Sequence, residues 1–457
     1  MKKIKYTAIL FITLFSLSNC NKKLDVVPQQ NITPDQITTA DDVKALLFGE
    51  YSLMQNANGF GERLIFIPDL LADEKQVDFV GTFTNYKDFF TKTQDKQNSI
   101  PAGIWSNMYL VLNLSNTVLS KISLIDPSEQ DEITGEAEFM RGVALFELVK
   151  LFGLPYSAGN ISTNPGVPII LDPPKYVYDP ANALVSRASV GDVYVQVLKD
   201  LQDAANKLPT SQDDNRADQY AAKAFLSQVY MQMGDYVNAA TMANDVISSG
   251  KYNLVSTFNQ AFNNVSNSQE DVFAIQQSAQ SNAGTSDNGL TTFYSPAPQG
   301  RGDAQVDAGY KTFFENGDFR KTYTQSGSSI GGFSGKYTLK WADFYKAVPV
   351  IRLAEMYLTR GEANLRKGGA PIGGIAPLDD INKVRQRSGA TPLLGVTGND
   401  FVEERMRELG FEGDRLWTLK RLQMDVSGLL YTDNKLVLPI PQREIEVNSN
   451  LVQNPGY

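Results

Sequence analysis

The sequence predicts a mainly α-helical protein: stacked helix pairs of the tetratricopeptide type, interrupted by one loop-rich region that bears aromatic side chains. Three observations carry this. Apolar residues recur at spacings of three and four over roughly 102–121, 129–151, 190–208, 218–233, 237–249, 348–367, 376–388 and 399–421. Residues 220–253 match the spacing of a tetratricopeptide repeat. From about 253 to 347 the helical period fails, and Gly, Ser, Asn and Pro accumulate with aromatics among them.

Residues 1–19 read as a lipoprotein export signal. Lys2, Lys3 and Lys5 precede an apolar run, 8–17, that is too short to span a bilayer as a stable helix, and Leu17-Ser18-Asn19 leads into Cys20. Cys20 is the only cysteine in the chain, and a lone exposed thiol in an exported protein needs an explanation. Lipidation supplies it: at about 0.8 kcal/mol per buried methylene, several acyl chains hold a protein on a membrane where one does not. Residues 20–37, with Pro28 and Pro34 and no helical period, read as the lipidated cysteine and an extended linker.

One domain is expected over 38–457. Its first helix begins near Asp41 and carries Val43, Leu46, Leu47, Tyr51 and Met54 at helical spacing. Ser189, three residues before Asp192, resembles a capping box for the helix over 190–208. In the tetratricopeptide unit, Leu226 and Tyr230 lie on the first helix, Gly234-Asp235-Tyr236 forms the turn, and Ala239 and Ala243 are small where helices cross closely. Such a unit cannot bury its apolar face alone, so 102–121 with 129–151 and 348–367 with 376–388 should stack on it. Tyr109, Tyr230 and Ala239 are then core residues.

Composition excludes more than any motif adds. The chain has no histidine, which removes Ser-His-Asp and Cys-His catalysis and histidine metal sites. With Cys20 consumed by the anchor, no thiol nucleophile or internal disulfide remains. Loss of Lys2, Lys3 and Lys5 with the signal takes the formal net charge from −9 to −12, which repels nucleic acid. No second apolar run of membrane-spanning length follows the signal. The Gly331-Gly332 to Gly335-Lys336 stretch lacks P-loop spacing, and no loop shows calcium-ligand spacing, so no cofactor or metal is expected.

Several ordered segments resemble the SusD/RagB family of outer-membrane nutrient-binding lipoproteins. They are CNKKLDVVPQ at 20–29, GEAEFMRGVALFELVKLFGLPY at 135–156, RASVGDVYVQVLKDL at 187–201, VPVIRLAEMYLTRGEANLRKGG at 348–369, LDDINKVRQRSGA at 378–390, EERMRELGFEGDRLWTLKR at 403–421 and the terminal LPIPQREIEVNSNLVQNPGY at 438–457. Asp414 stands where the family usually has His, within a motif read as structural. The resemblance implies a SusD-like helical fold and a lipid-anchored, non-catalytic protein at the cell surface, in the outer membrane. It further implies binding of oligosaccharides and their delivery to a SusC-like TonB-dependent transporter, or a peptide-importing role as in RagB-like members.

Two constellations of charge, Arg352, Glu355, Arg360 and Glu362, and Glu403 through Arg415, could serve a carboxylate-dependent glycoside hydrolase. Opposite charges at spacings of three and four more simply support helices and pin their neighbours. Sugars are held by aromatic faces and planar polar groups, and two loop clusters offer both. From the first, Asp73, Phe79, Phe83 and Tyr86 are the expected ligand-binding residues; from the second, Phe293, Tyr294, Arg301 and Trp341, with Trp341 foremost. The alternative for each aromatic is that it fills core beneath a long loop.

Overall fold

The computed structural model describes residues 36–72, 75–173, 184–212 and 215–457. The export signal, Cys20, most of the linker and Asp73 lie outside the described residues. Residues Thr39–Tyr457 form one unit. In chain order its helices and strands are α1 (Ala40–Gln55), α2 (Arg63–Leu71), β1 (Val77–Phe79), α3 (Thr84–Thr91), α4 (Ser99–Ser120), α5 (Gln130–Phe152), α6 (Val190–Lys207), α7 (Gln219–Met233) and α8 (Tyr236–Ser248). They continue with β2 (Asp271–Ile275), α9 (Leu290–Tyr294), β3 (Ala304–Val306), β4 (Thr324–Ser328), β5 (Ser334–Thr338), β6 (Val348–Arg352), α10 (Leu353–Lys367), α11 (Pro377–Arg387), α12 (Gly398–Leu409), α13 (Asp414–Arg421) and α14 (Gln442–Val447).

The helices stack in series: α5 lies between α4 and α6, α7 packs on α6 and α8, and α10 packs on α8 and α11. α5 is buried on nearly every side, which explains why its sequence shows apolar residues all round and not a single stripe. Gly135 and Gly142 allow this closeness, since a Cβ on either would meet a leucine side chain, Leu208 or Leu201, at 3.0 Å. The tetratricopeptide unit forms as its sequence implies. Gly234 ends α7 in the left-handed region at φ 73°, and Asp235 caps α8 by accepting from the Asn238 N–H at 3.1 Å. Leu226, Tyr230, Ala239 and Ala243 are buried. At the other expected start, the Ser189 hydroxyl accepts from the Asp192 N–H at 3.1 Å, while the Asp192 carboxylate takes the Ser189 O–H and leaves the reciprocal half of the box unmade.

Two expected helices are corrected. The stretch 348–367 opens as strand β6, whose residues pair antiparallel with β2 from Ile275↔Val348 to Asp271↔Arg352. Phe273 of β2 packs edge-on against Phe139 of α5 and Phe225 of α7 at 5.2 and 5.9 Å, fastening this ribbon to the helix stack. The stretch 399–421 breaks into α12 and α13 at 410–413. Phe411 and Gly413 both have positive φ, and Gly413 lies so near α2 that a Cβ would sit 3.2 Å from Ile65 Cα. Within the loop-rich region, β4 and β5 form a hairpin in register from Thr324↔Thr338 to Ser328↔Ser334.

The charged constellations tie helices together in the interior. Arg360 of α10 grips Asp380 of α11 with two bonds of 3.0 and 2.6 Å, and Arg421 of α13 grips Glu362 of α10 at 2.8 and 2.6 Å. Arg352 is fully buried among Glu270, Glu408 and Glu412. Asp414 accepts from Arg405 and, at 3.0 Å, from the Thr418 hydroxyl, so the carboxylate in the usual histidine position joins α13 to α12.

Candidate functional site

α13 packs on α2, and α2 carries the floor of the site. Phe66 sits at the centre of α2, stacked on Phe293 at 4.9 Å and edge-on to Tyr294 at 5.1 Å. Tyr86 and Phe83 reach the same Phe293 ring at 4.7 and 6.3 Å, and Phe79 lies 6.4 Å from Phe66. The two aromatic loop clusters of the sequence are therefore one cluster in space. Each fully buried ring stabilises it by about 1.5–3 kcal/mol.

Two buried carboxylates belong to α2, Glu62 at its N-cap and Asp69 within it. Glu62 accepts from the Tyr86 phenol and from the Gly289 N–H at 2.6 Å. Asp69 accepts from the Tyr294 phenol at 2.7 Å, the Gln76 amide at 2.7 Å and the Gly413 N–H at 3.1 Å. Burial raises both carboxyls to about 7, outweighing the donors that favour the charged form. The same burial, with the adjacent carboxylate, pushes the Tyr86 and Tyr294 phenols up as well.

This geometry relocates most of the expected ligand residues. Phe79, Tyr86, Phe293, Tyr294 and Trp341 are all buried, and the polar atoms of Tyr86, Tyr294 and Trp341 are spent inside the protein. Trp341 is only 4% exposed; its indole N–H donates to the Phe411 carbonyl at 2.8 Å and its ring packs edge-on against Phe262. The reason is that each ring packs against rings from distant segments: Phe293 on Phe66 and Tyr86, Tyr294 on Phe66 and Phe411, Phe79 on Phe66, and Trp341 on Phe262. As the structure stands, the five side chains are a foundation and not a contact surface. Phe83 and Arg301 are half-buried and do reach the surface.

Around them lies a built surface. The Arg301 guanidinium sits 4.0 Å above the Phe83 ring, donates from Nε to Asp303 at 2.8 Å and from Nη2 to the Thr82 hydroxyl at 3.1 Å. One oxygen of Asp303 has no hydrogen-bond partner among the described residues, and burial raises this carboxyl despite Arg301. Pairing of β1 with β3, continued by the Val80 N–H to the Asp303 carbonyl at 2.8 Å, holds the two segments side by side. Gly81 permits this approach, since a Cβ there would stand 2.6 Å from the Asp303 side chain.

The hairpin tip completes the surface with two residues not expected from sequence. Ile330 and Phe333 are 63% and 56% exposed. The Ile330 N–H donates to the Arg301 carbonyl at 2.7 Å, and the Gln305 amide donates to the Phe333 carbonyl at 2.9 Å, which fastens the tip beside β3. The available signal was Ser329-Ile330-Gly331-Gly332-Phe333-Ser334 itself: two apolar residues within a turn that offers them no partner. The arrangement offers the exposed Phe333 ring, the Arg301 guanidinium seated on Phe83 and the Thr82 hydroxyl, groups able to stack on a sugar ring and satisfy its hydroxyls.

Residues 24–231 match a family described as starch-binding and associating with the outer membrane, and residues 316–431 match the SusD family. The chain belongs to the SusD/RagB family. A SusD-like protein of Formosa agariphila is 25% identical over the full length of both chains. The starch-binding protein SusD of Bacteroides thetaiotaomicron is 36% identical over 126 residues, covering 24% of this chain and 21% of that one. Among solved structures, a SusD superfamily protein of Bacteroides thetaiotaomicron superposes with a TM-score of 0.81 at 24% identity, covering 92% of this chain and all of that one. Surface glycan-binding protein A of Bacteroides fluxus gives 0.77 at 22% identity, with 92% of this chain and 100% of that chain covered. The SusD fold is thus established for the scaffold that carries the Phe83–Arg301–Phe333 surface.

Proposed function

We propose that this SusD/RagB member is a non-catalytic carbohydrate-binding lipoprotein of the outer membrane that binds glycan through Phe83, Arg301 and Phe333 and delivers it to a SusC-like TonB-dependent transporter. The observation that carries the reading is the exposed aromatic and guanidinium surface on a scaffold whose relatives include a starch-binding protein and a surface glycan-binding protein. Pairing of Arg301 with Asp303 leaves the surface without net charge, which suits a neutral glycan. The interior pairing of the carboxylates on α10 to α13 with arginines supports binding over hydrolysis. Cys20 is the proposed anchor, with the polar stretch after it as a leash that keeps the binding unit beside its transporter at high effective concentration.

The test is affinity electrophoresis and calorimetry of residues 21–457 against soluble polysaccharides and against peptides. Binding to at least one polysaccharide is expected, weakened about tenfold or more by Phe333→Ala, which removes an exposed ring, or by Phe83→Ala, which removes the ring on which Arg301 is seated. Binding of peptides alone would transfer the reading to peptide uptake, and release of reducing ends by the pure protein would refute the non-catalytic reading.

A further inference from the structure

A cavity of about 310 Å³ opens between α1, the turn before α7 and the end of β2, sharing no residue with the Phe83–Arg301 surface. Phe48 forms one wall and is 55% exposed, whereas the other large apolar residues of α1 are buried or half-buried. The Arg216 guanidinium lies 5.7 Å from the Phe48 ring centre, and Arg216 is paired with Glu132 and Glu136, so its charge is met from within. Tyr51 is fixed too, donating to Glu136 at 2.7 Å and accepting from the Ala217 N–H at 2.9 Å. Three polar groups on the walls are unused. Ser52 and Asn215 make no side-chain hydrogen bond among the described residues, and Gln276, whose amide donates to Asn267 at 2.6 Å, keeps its Oε1 uncommitted. Asn215 is held at φ 61°, a left-handed conformation that few side chains adopt.

We propose that this cavity is a second saccharide site that takes one or two rings of a neutral oligosaccharide. A sugar ring has an apolar C–H face and a rim of hydroxyls, and the cavity offers one aromatic face, one hydroxyl, one amide and one carbonyl acceptor around it. Its volume lies at the small end of the range for ligand sites, which limits it to a short piece of chain. All charges at its walls are internally paired, so an anionic ligand gains nothing there.

Saturation-transfer NMR tests this with maltotetraose, cellotetraose, xylotetraose, laminaritetraose and mannotetraose as separate probes at millimolar concentration. The proteins are residues 21–457 unaltered, with Phe83→Ala and Phe333→Ala together, and with Phe48→Ala or Ser52→Trp added. Both positions of the added substitutions are exposed, so neither disturbs the core; Ser52→Trp closes the cavity by bulk. The site stands if the Phe83/Phe333 variant retains binding of a probe and either added substitution weakens it about tenfold or more. It falls, with the proposed function intact, if the Phe83/Phe333 variant binds no probe while the unaltered protein does. It stands, and the proposed function loses its surface, if only Phe48→Ala and Ser52→Trp matter. Absence of binding of any probe to the unaltered protein overturns this site.

Discussion

Replacing Asp69 by Asn should alter how stability depends on pH, and the sign follows from the burial of this carboxyl. Asp69 is raised from its ordinary 3.8 to about 7, so between those values the folded protein binds a proton that the unfolded chain releases. A group raised in this way stabilises the fold fully below its unfolded pKa, and that contribution is lost as pH rises through the folded value. The loss is at most about 1.4 kcal/mol per pH unit, or roughly 4 kcal/mol across the window, and relaxation of the site reduces it to a few kcal/mol. Asn preserves the acceptor for Gln76 and Gly413, offers an N–H to the Tyr294 oxygen, and cannot ionise. Urea unfolding of the unaltered protein and Asp69→Asn, followed by fluorescence from pH 4.5 to 8, should therefore show curves that diverge, with the variant gaining relative stability as pH rises. Glu62, also raised to about 7, adds to the slope in both proteins, whereas Glu362 and Glu408, lowered to about 2, act only below about pH 4.5. Parallel curves for the two proteins across the window would refute the assignment of a proton to buried Asp69.

Trp341→Ala should cost about 3–5 kcal/mol, read as a fall in denaturation midpoint, because it empties a core position and leaves the Phe411 carbonyl without its indole donor. Folded Trp341→Ala should nonetheless bind ligand within about threefold of the unaltered protein, a difference of about 0.6 kcal/mol. Arg421→Met should destabilise by about 3–5 kcal/mol by taking from the buried Glu362 the guanidinium that holds both its oxygens, and chemical denaturation measures it. Gly81→Ala should leave the denaturation midpoint within a few degrees while weakening glycan binding in calorimetry, since the added carbon displaces Asp303 and with it Arg301 from Phe83.

Helices whose ends are capped locally were legible from sequence. Gly234 and Asp235 mark one helix end and the next start within two residues, and both do so for backbone reasons that need no distant partner. The break at 410–413 was hidden because apolar and charged spacing runs on across it; what imposes the turn is the approach of Ile65 from α2, which no local pattern records. Residues 348–352 were absorbed into a helix because the short apolar run Val348 to Ile351 carries no period of its own, and its strand state depends on β2 some 75 residues earlier. At the candidate site, the sequence singled out two aromatic segments that the fold brings together, but could not rank their rings. Phe83 and Phe293 are both phenylalanines in polar surroundings, and Phe293 is the covered one because Phe66 and Tyr86, from segments more than 200 residues earlier, close on it. Phe333 went unnoticed because its exposure depends on the hairpin that lifts it.

The tip of that hairpin is joined to its neighbours mainly through main-chain atoms, at the carbonyls of Arg301 and Phe333, while the side chains of Ile330 and Phe333 point away from any core. Residues at 330 and 333 can therefore be exchanged without a penalty in folding, whereas every ring beneath them is fixed by packing. Under the proposed function, selection for a new ligand would act on this turn as on an interchangeable bit in a fixed chuck, with the scaffold left as it is.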